Sequence, residues 1–269
     1  MKPRISYLVC GTPRSGSTFF SAALLRTGVA GIPDEYFDAQ HFTFWCDQWG
    51  VTSLEEYVPR AIQEATTPNG VCGITLHRDG FLDYFVPQLQ QLPQYHGRGL
   101  STRELLDEVL PNLHYIWITR RNKVRQAVSL WKAMQTGQWV GGQQAQSNAT
   151  PVYDYEEINT LMQFLTKAET SWQDYFTSAQ VKPLTIVYED LVIDYSAMVR
   201  SVFRYLGLDE HCQESWNKPR MVKQADDRSE SWVQQFYAEK SGNHWSDHWS
   251  RALNTSQPPP LAGLKGCSN

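Results

Sequence analysis

The chain of 269 residues carries 24 Lys and Arg against 28 Asp and Glu, a formal net charge of −4. That balance supplies no broad basic field for nucleic acid or an anionic membrane. No stretch approaches the roughly 20 apolar residues that span a bilayer, so neither a nucleic-acid partner nor a membrane span is expected. Hydrophobic residues make up 41%, ample for a sizeable core at this length. Ten Trp, 13 Tyr and 11 Phe are enough for core and for platforms under an adenine ring or a sugar face. The five cysteines, Cys10, Cys46, Cys72, Cys212 and Cys267, form no CxxC pair. They suit a reducing compartment and suggest no zinc site. The first apolar run is too short for a signal peptide, and a cytoplasmic protein is expected.

Ile5-Ser6-Tyr7-Leu8-Val9-Cys10 reads as a strand. Gly11-Thr12-Pro13-Arg14-Ser15-Gly16-Ser17-Thr18 follows it, and Phe19 to Leu25 continue at helical spacing. Strand, tight glycine loop and helix in that order aim backbone N–H groups and the positive end of a helix dipole at one point, where a phosphate can sit. The spacing of Gly11 and Gly16 is that of a P-loop, but Ser17 stands where the nucleotide-hydrolysing form needs Lys. Arg14 is the cation left within the loop. The loop therefore suits an anionic nucleotide without the γ-phosphate chemistry of a P-loop lysine.

Further strands are predicted at 71–76, 115–119 and 184–188, and helices at about 16–28, 53–65, 101–109, 122–136, 153–178 and 195–206. The alternation predicts an α/β fold of P-loop-like, three-layer type: a central, mainly parallel sheet flanked by helices. No internal repeat or linker divides the chain. One domain is expected over 1–240, with a poorly structured tail over 241–269 that contains Pro258-Pro259-Pro260. Gly137 to Pro151 reads as a polar loop and a candidate mobile lid.

A second anion site is expected after Thr119, where Arg120, Arg121, Lys123 and Arg125 place four cations in six positions at a strand-to-helix junction. Cations at a helix start oppose the dipole, which favours a functional over a merely solvated cluster. The site faces the carboxyl edge of the sheet, where ligands of open α/β sheets bind. Ser129 follows Arg121 by two helical turns, so a guanidinium and a hydroxyl can converge on one phosphate. Anion sites after the first and after a central strand suit a nucleoside 3′,5′-bisphosphate.

These features resemble the PAPS-dependent sulfotransferases, whose donor is 3′-phosphoadenosine 5′-phosphosulfate (PAPS). Gly28-Val-Ala-Gly31-Ile-Pro-Asp-Glu35-Tyr36-Phe37, Thr67-Pro-Asn-Gly70-Val-Cys-Gly73, Gln126-Ala-Val-Ser129-Leu-Trp131, Gln135-Thr-Gly-Gln-Trp139 and Gln224-Ala-Asp-Asp-Arg228-Ser-Glu-Ser-Trp232 narrow the resemblance to the mycobacterial-type trehalose 2-sulfotransferase family, over about residues 5–237. The resemblance implies sulfuryl transfer from PAPS to a small carbohydrate such as trehalose, as in glycolipid biosynthesis, with no metal and in a homodimer. It implies donor contacts from Thr12, Pro13, Arg14, Ser15, Gly16, Ser17 and Thr18, with Arg14 also serving catalysis. The 3′-phosphate falls to Ser129 with Arg121, favoured by spacing, or Arg120, favoured by alignment.

Glu35 is the implied general base, and His77, after the second strand, is its rival. Tyr36, His77 and Trp139 are acceptor contacts together with Glu35. Lys223 and Arg228 are candidates near the nucleotide. Glu189-Asp190 resembles a Walker-B acid pair, to which a metal-free transferase gives a structural role. The chain departs from the family at Thr75, commonly Lys, and at Arg78, commonly aromatic. Thr75 removes a cation from the sulfonyl or acceptor side. A P-loop-type small-metabolite kinase and an inactive nucleotide-binding protein are the alternatives.

Overall fold

Four short apolar runs form the four strands of one parallel sheet: β1 (Ile5–Gly11), β2 (Val71–His77), β3 (Leu113–Thr119) and β4 (Leu184–Val187), in the order β2-β1-β3-β4. The computed structural model describes residues 2–39, 41–77, 81–140, 150–209 and 226–254. β1 is buried along its whole length, as a central parallel strand covered on both faces must be.

Its side chains alternate between two cores. Leu8 and Cys10 join Cys72, Ile74 and Tyr115 on one face. There α3 (Leu54–Glu64), α4 (Val86–Gln90), α5 (Thr102–Val109) and α7 (Tyr155–Ser178) supply Tyr57, Leu89, Leu105 and Trp172. Tyr7 and Val9 join Ile116, Ile118 and Ile186 on the other face. They meet Phe20 and Leu24 of α1 (Ser17–Arg26), Leu191 of α8 (Tyr188–Ile193) and Val199 and Phe203 of α9 (Tyr195–Leu206). The result is the three-layer, P-loop-like α/β architecture expected from the alternation.

Some elements differ from expectation. α2 (Phe42–Trp49), which contributes no fully buried residue, and a π-helical turn over Phe81–Phe85 leading into α4 lack a clear apolar period. β4 stops at Val187, and Tyr188 opens α8. The helix α10 (Asp227–Asn254) runs through 241–254, where an irregular tail is expected; residues 255–269 lie outside the described residues. Of the candidate lid, 141–149 also lie outside them.

A third, smaller core joins α6 (Lys123–Thr136), α7 and α10 through Val128, Leu165, Trp232 and Phe236. Asp226 starts α10 by accepting from the Ser229 N–H at 2.9 Å, and Lys132 Nζ reaches the same oxygen at 2.8 Å. These hydrogen bonds, from Lys132 and Ser229, overcome partial burial and hold the Asp226 carboxyl well below the usual range. A depressed carboxylate stabilises the fold above its unfolded pKa of about 4 and loses that contribution as pH falls through the lower folded value. Asp226→Ala should therefore lower stability by about 1 kcal/mol at neutral pH. The difference from the parent chain should shrink on acidification below about pH 4, as read by urea denaturation at several pH values.

Candidate active site

The strand order makes β1 and β3 the pair from which successive connections leave in opposite directions, and ligands of open α/β sheets sit in the crevice at that point. The loop after β1 and the cation cluster after β3 flank this crevice. Gly16 precedes α1 at φ 98, in the left-handed region, and α1 has no side-chain N-cap bond. Its first-turn N–H groups have no partner within the helix. A Cβ at Gly16 would overlap the Tyr188 ring. Arg14 is also left-handed, at φ 62, a conformation uncommon for a side chain of its size.

Arg14 Nε donates to Ser129 Oγ at 3.1 Å, and its Nη1 donates to the Trp139 carbonyl. Burial and then the neighbouring Arg120 guanidinium lower the pKa of Arg14 to about 10, against a smaller opposing effect of Tyr188, so it stays charged near neutrality. Arg120 lies over the Tyr188 ring at 4.8 Å and donates to the Arg14 carbonyl at 3.4 Å. Burial lowers its pKa too.

The four cations after β3 separate by partner. Arg121 forks onto Asp190 at 2.8 and 2.5 Å, Lys123 pairs with Glu169 at 2.5 Å and Arg125 with Glu230 at 2.6 Å. Among the described residues Arg120 forms no such ion pair, and its Nε is buried without a hydrogen-bond partner. Spacing alone favours Arg121 at the 3′-phosphate, but the structure commits its guanidinium to Asp190. The hydrogen bond to Asp190 raises the pKa of Arg121 and lowers that of Asp190. Glu189 accepts from the Arg121 N–H at 3.0 Å, so the Glu189-Asp190 pair holds the 120–122 turn.

Two side chains that the sequence reading gave no role hold the phosphate loop in shape. Gln126, fully buried on α6, donates to Thr12 Oγ1 at 2.8 Å and to the Pro13 carbonyl at 2.7 Å, and accepts from Lys123 Nζ at 3.2 Å. Trp172 Nε1 on α7 donates to the Gly11 carbonyl at 2.8 Å. A glutamine amid the apolar residues Val124, Ala127 and Val128 was the available signal. Ser15 Oγ, buried at the centre of the loop, has no hydrogen-bond partner among the described residues.

Across the crevice, the segment after α1 lies along β2, where the Thr75 N–H donates to the Asp34 carbonyl at 2.9 Å. The turn closed by the Asp38 N–H on the Glu35 carbonyl, at 3.3 Å, then projects both carboxylates beside His77. His77 Nε2 stands 3.8 Å from Glu35 Oε1 and 3.4 Å from Ser17 Oγ, and its Nδ1 stands 3.9 Å from Asp38 Oδ2. His41 Nδ1 approaches Glu35 Oε2 at 3.4 Å. Glu35 and His77 thus share one site with the phosphate loop, linked through Ser17.

Tyr36 does not: its ring is 4% exposed, packed on Trp45 and Trp49, so it serves the core rather than an acceptor. Trp139 is 46% exposed. Thr75 is buried with its hydroxyl 2.8 Å from Ser21 Oγ, which fills the position with a neutral polar pair instead of a cation. Arg228 is exposed on the first turn of α10; Lys223 and Arg78 lie outside the described residues.

A family model described as Stf0 sulphotransferase matches residues 6–239. Trehalose 2-sulfotransferase of Mycobacterium tuberculosis is 31% identical over 260 residues, covering 87% of this chain and 94% of the relative. Trehalose 2-sulfotransferase of Mycolicibacterium smegmatis is 30% identical over 259 residues, covering 86% and 94%. Among solved structures, the sulfotransferase domain of the Synechococcus olefin synthase (TM-score 0.39, 16% identity, 88% and 95% covered) and a sulfotransferase from Alicyclobacillus acidocaldarius (TM-score 0.46, 12% identity, 88% and 92% covered) are more distant. The chain belongs to the Stf0 sulphotransferase family and is a sulfotransferase.

Gln126→Ala should leave the Thr12 hydroxyl and the Pro13 carbonyl without this donor, while Lys123 keeps Glu169, and cost about 1–3 kcal/mol. Urea denaturation reads that loss, and anion binding at the loop should weaken in step.

Proposed function

We propose that the chain transfers a sulfuryl group from PAPS to a hydroxyl of a small carbohydrate, trehalose or a related sugar, with Glu35 as general base and no metal ion. The observation that carries this reading is the meeting of the phosphate loop with Glu35 and His77 at one crevice, bridged by Ser17. The names of the two curated relatives support a disaccharide acceptor.

The residues present fit the donor. An uncapped helix start, the orphaned Ser15 hydroxyl and Arg14 suit the 5′-phosphosulfate. Arg120 and Ser129 suit the 3′-phosphate. The acceptor oxygen attacks sulfur, the bond from sulfur to the 5′-phosphate oxygen breaks, and the acceptor proton passes to Glu35. Arg14 and the loop N–H groups balance charge on the leaving phosphate.

Binding of 3′-phosphoadenosine 5′-phosphate should exceed that of Mg-ATP in calorimetry; equal or tighter Mg-ATP binding supports the kinase alternative instead. Arg120→Ala and Ser129→Ala should weaken the bisphosphate by about 10-fold or more with little effect on adenosine 5′-monophosphate. Arg121→Ala should leave both nearly unchanged.

Glu35→Gln keeps shape and polarity but removes the proton acceptor. Turnover should fall by about 10²-fold or more, with bisphosphate affinity retained. His77→Ala should keep most of the activity if His77 only supports Glu35; the opposite pattern makes His77 the base. Parent turnover should persist in EDTA, since no step uses a metal.

A further inference from the structure

Glu35, Asp38 and His77 each offer one ligand atom, and these atoms lie within 4.8 Å of one another. Their side chains are 22%, 12% and 15% exposed, sheltered yet open to an ion. His41 is not part of that group; its Nδ1 stands 3.4 Å from Glu35 Oε2. We infer that this cluster is an inhibitory site for a borderline divalent transition metal, with Zn²⁺ as the type, and that the bound ion occupies Glu35 and stops transfer.

The donor chemistry selects the ion. One imidazole and two carboxylates suit zinc with a fourth position left to water, whereas Mg²⁺ and Ca²⁺ take oxygen ligands and would leave the imidazole unused. The geometry is close to that required. Donors at zinc bond lengths of about 2.0–2.2 Å stand about 3.3–3.5 Å apart around a tetrahedral ion. The His77 Nε2–Glu35 Oε1 pair, at 3.8 Å, needs only a small contraction. The carboxylates come from one backbone-closed turn pinned to β2, the strand that ends in His77, so the ion need not gather ligands from distant mobile segments.

Zinc coordinated by Glu35 removes the lone pair that takes the acceptor proton. It also draws on the nitrogen of His77 that faces Ser17 of the phosphate loop. The inhibitory half of the inference rests on the proposed role of Glu35; the binding half does not.

The test uses the full, untagged chain stripped with EDTA and dialysed. Zn²⁺ titrated in a calorimeter should bind, and His77→Ala and Asp38→Asn should each weaken that binding by about 10-fold or more. His41→Ala should weaken it less. Unchanged far-UV circular dichroism and thermal melting certify that each variant is folded. Co²⁺ in place of Zn²⁺ should give a d–d spectrum without a thiolate charge-transfer band. Zn²⁺ should lower turnover with a midpoint matching its binding constant, and EDTA should restore it.

Absence of Zn²⁺ binding, binding indifferent to both His77→Ala and Asp38→Asn, or a thiolate band pointing to cysteine ligation overturns the site. Site-specific binding without inhibition overturns the inhibitory role. Failure of the transferase reading itself shows separately, as binding that follows the variants in a chain with no sulfuryl transfer to any sugar.

Discussion

Backbone N–H groups converge on an anion only while the loop that carries them is held open. Here the holding is done by side chains 114 and 161 residues further along the chain. Gln126 places a buried amide against Thr12 and Pro13, and Trp172 ties down the Gly11 carbonyl, so both walls of the loop are anchored from helices that follow later strands. A buried amide with its partners satisfied sits stably, whereas an unsatisfied one costs a large share of a marginal stability. The loop shape and the packing of α6 and α7 on the sheet are therefore one structural commitment. Glycine at position 16 belongs to it as well, because the Tyr188 ring occupies the space a side chain would need.

The same sheet topology determines where acid–base groups can stand. β2 borders β1, and β1 carries the phosphate loop, so the end of β2 must open beside it; Gly11 pairs with His77 in the register. The chain between α1 and α2 covers the β2 edge and delivers Glu35 and Asp38 to that spot. With Thr75 engaged by Ser21, positive charge near the crevice comes from Arg14, Arg120 and the start of α1. A histidine flanked by two carboxylates, rather than a lysine, faces the loop from β2.

Electrostatics operates locally in this protein. A net charge of −4 coexists with four cations in six positions, and carboxylates from α7, α8 and α10 neutralise three of them. These pairs fasten helices to the 120–125 turn and leave Arg120 at the crevice. Exposed pairs such as Arg121–Asp190 contribute little to stability; their consequence here is which guanidinium remains available to a ligand.

The sequence by itself determined the class of fold and the position of the glycine loop between β1 and α1. Four short β-branched or aromatic runs alternating with amphipathic helices admit few arrangements other than a covered parallel sheet. A glycine loop between strand and helix is legible through local backbone geometry alone. The cation cluster after β3 was legible for the same reason, as a motif short enough to be read locally, whereas Glu35 was singled out only by the family resemblance.

Only the tertiary structure shows that Arg121 is engaged by Asp190, which lies on a helix after another strand, while Arg120 makes no ion pair among the described residues. It decided too that Tyr36 is core, through packing on Trp45 and Trp49 of a helix with no clear period, and that Gln126 faces inward. α10 escaped the sequence reading because much of its length lacks an apolar stripe: it is held by Trp232, Val233 and Phe236 near its start and by the Asp226 cap. Periodicity reports how a segment relates to itself, whereas pairing, burial and the sorting of like charges depend on residues brought together from distant parts of the chain.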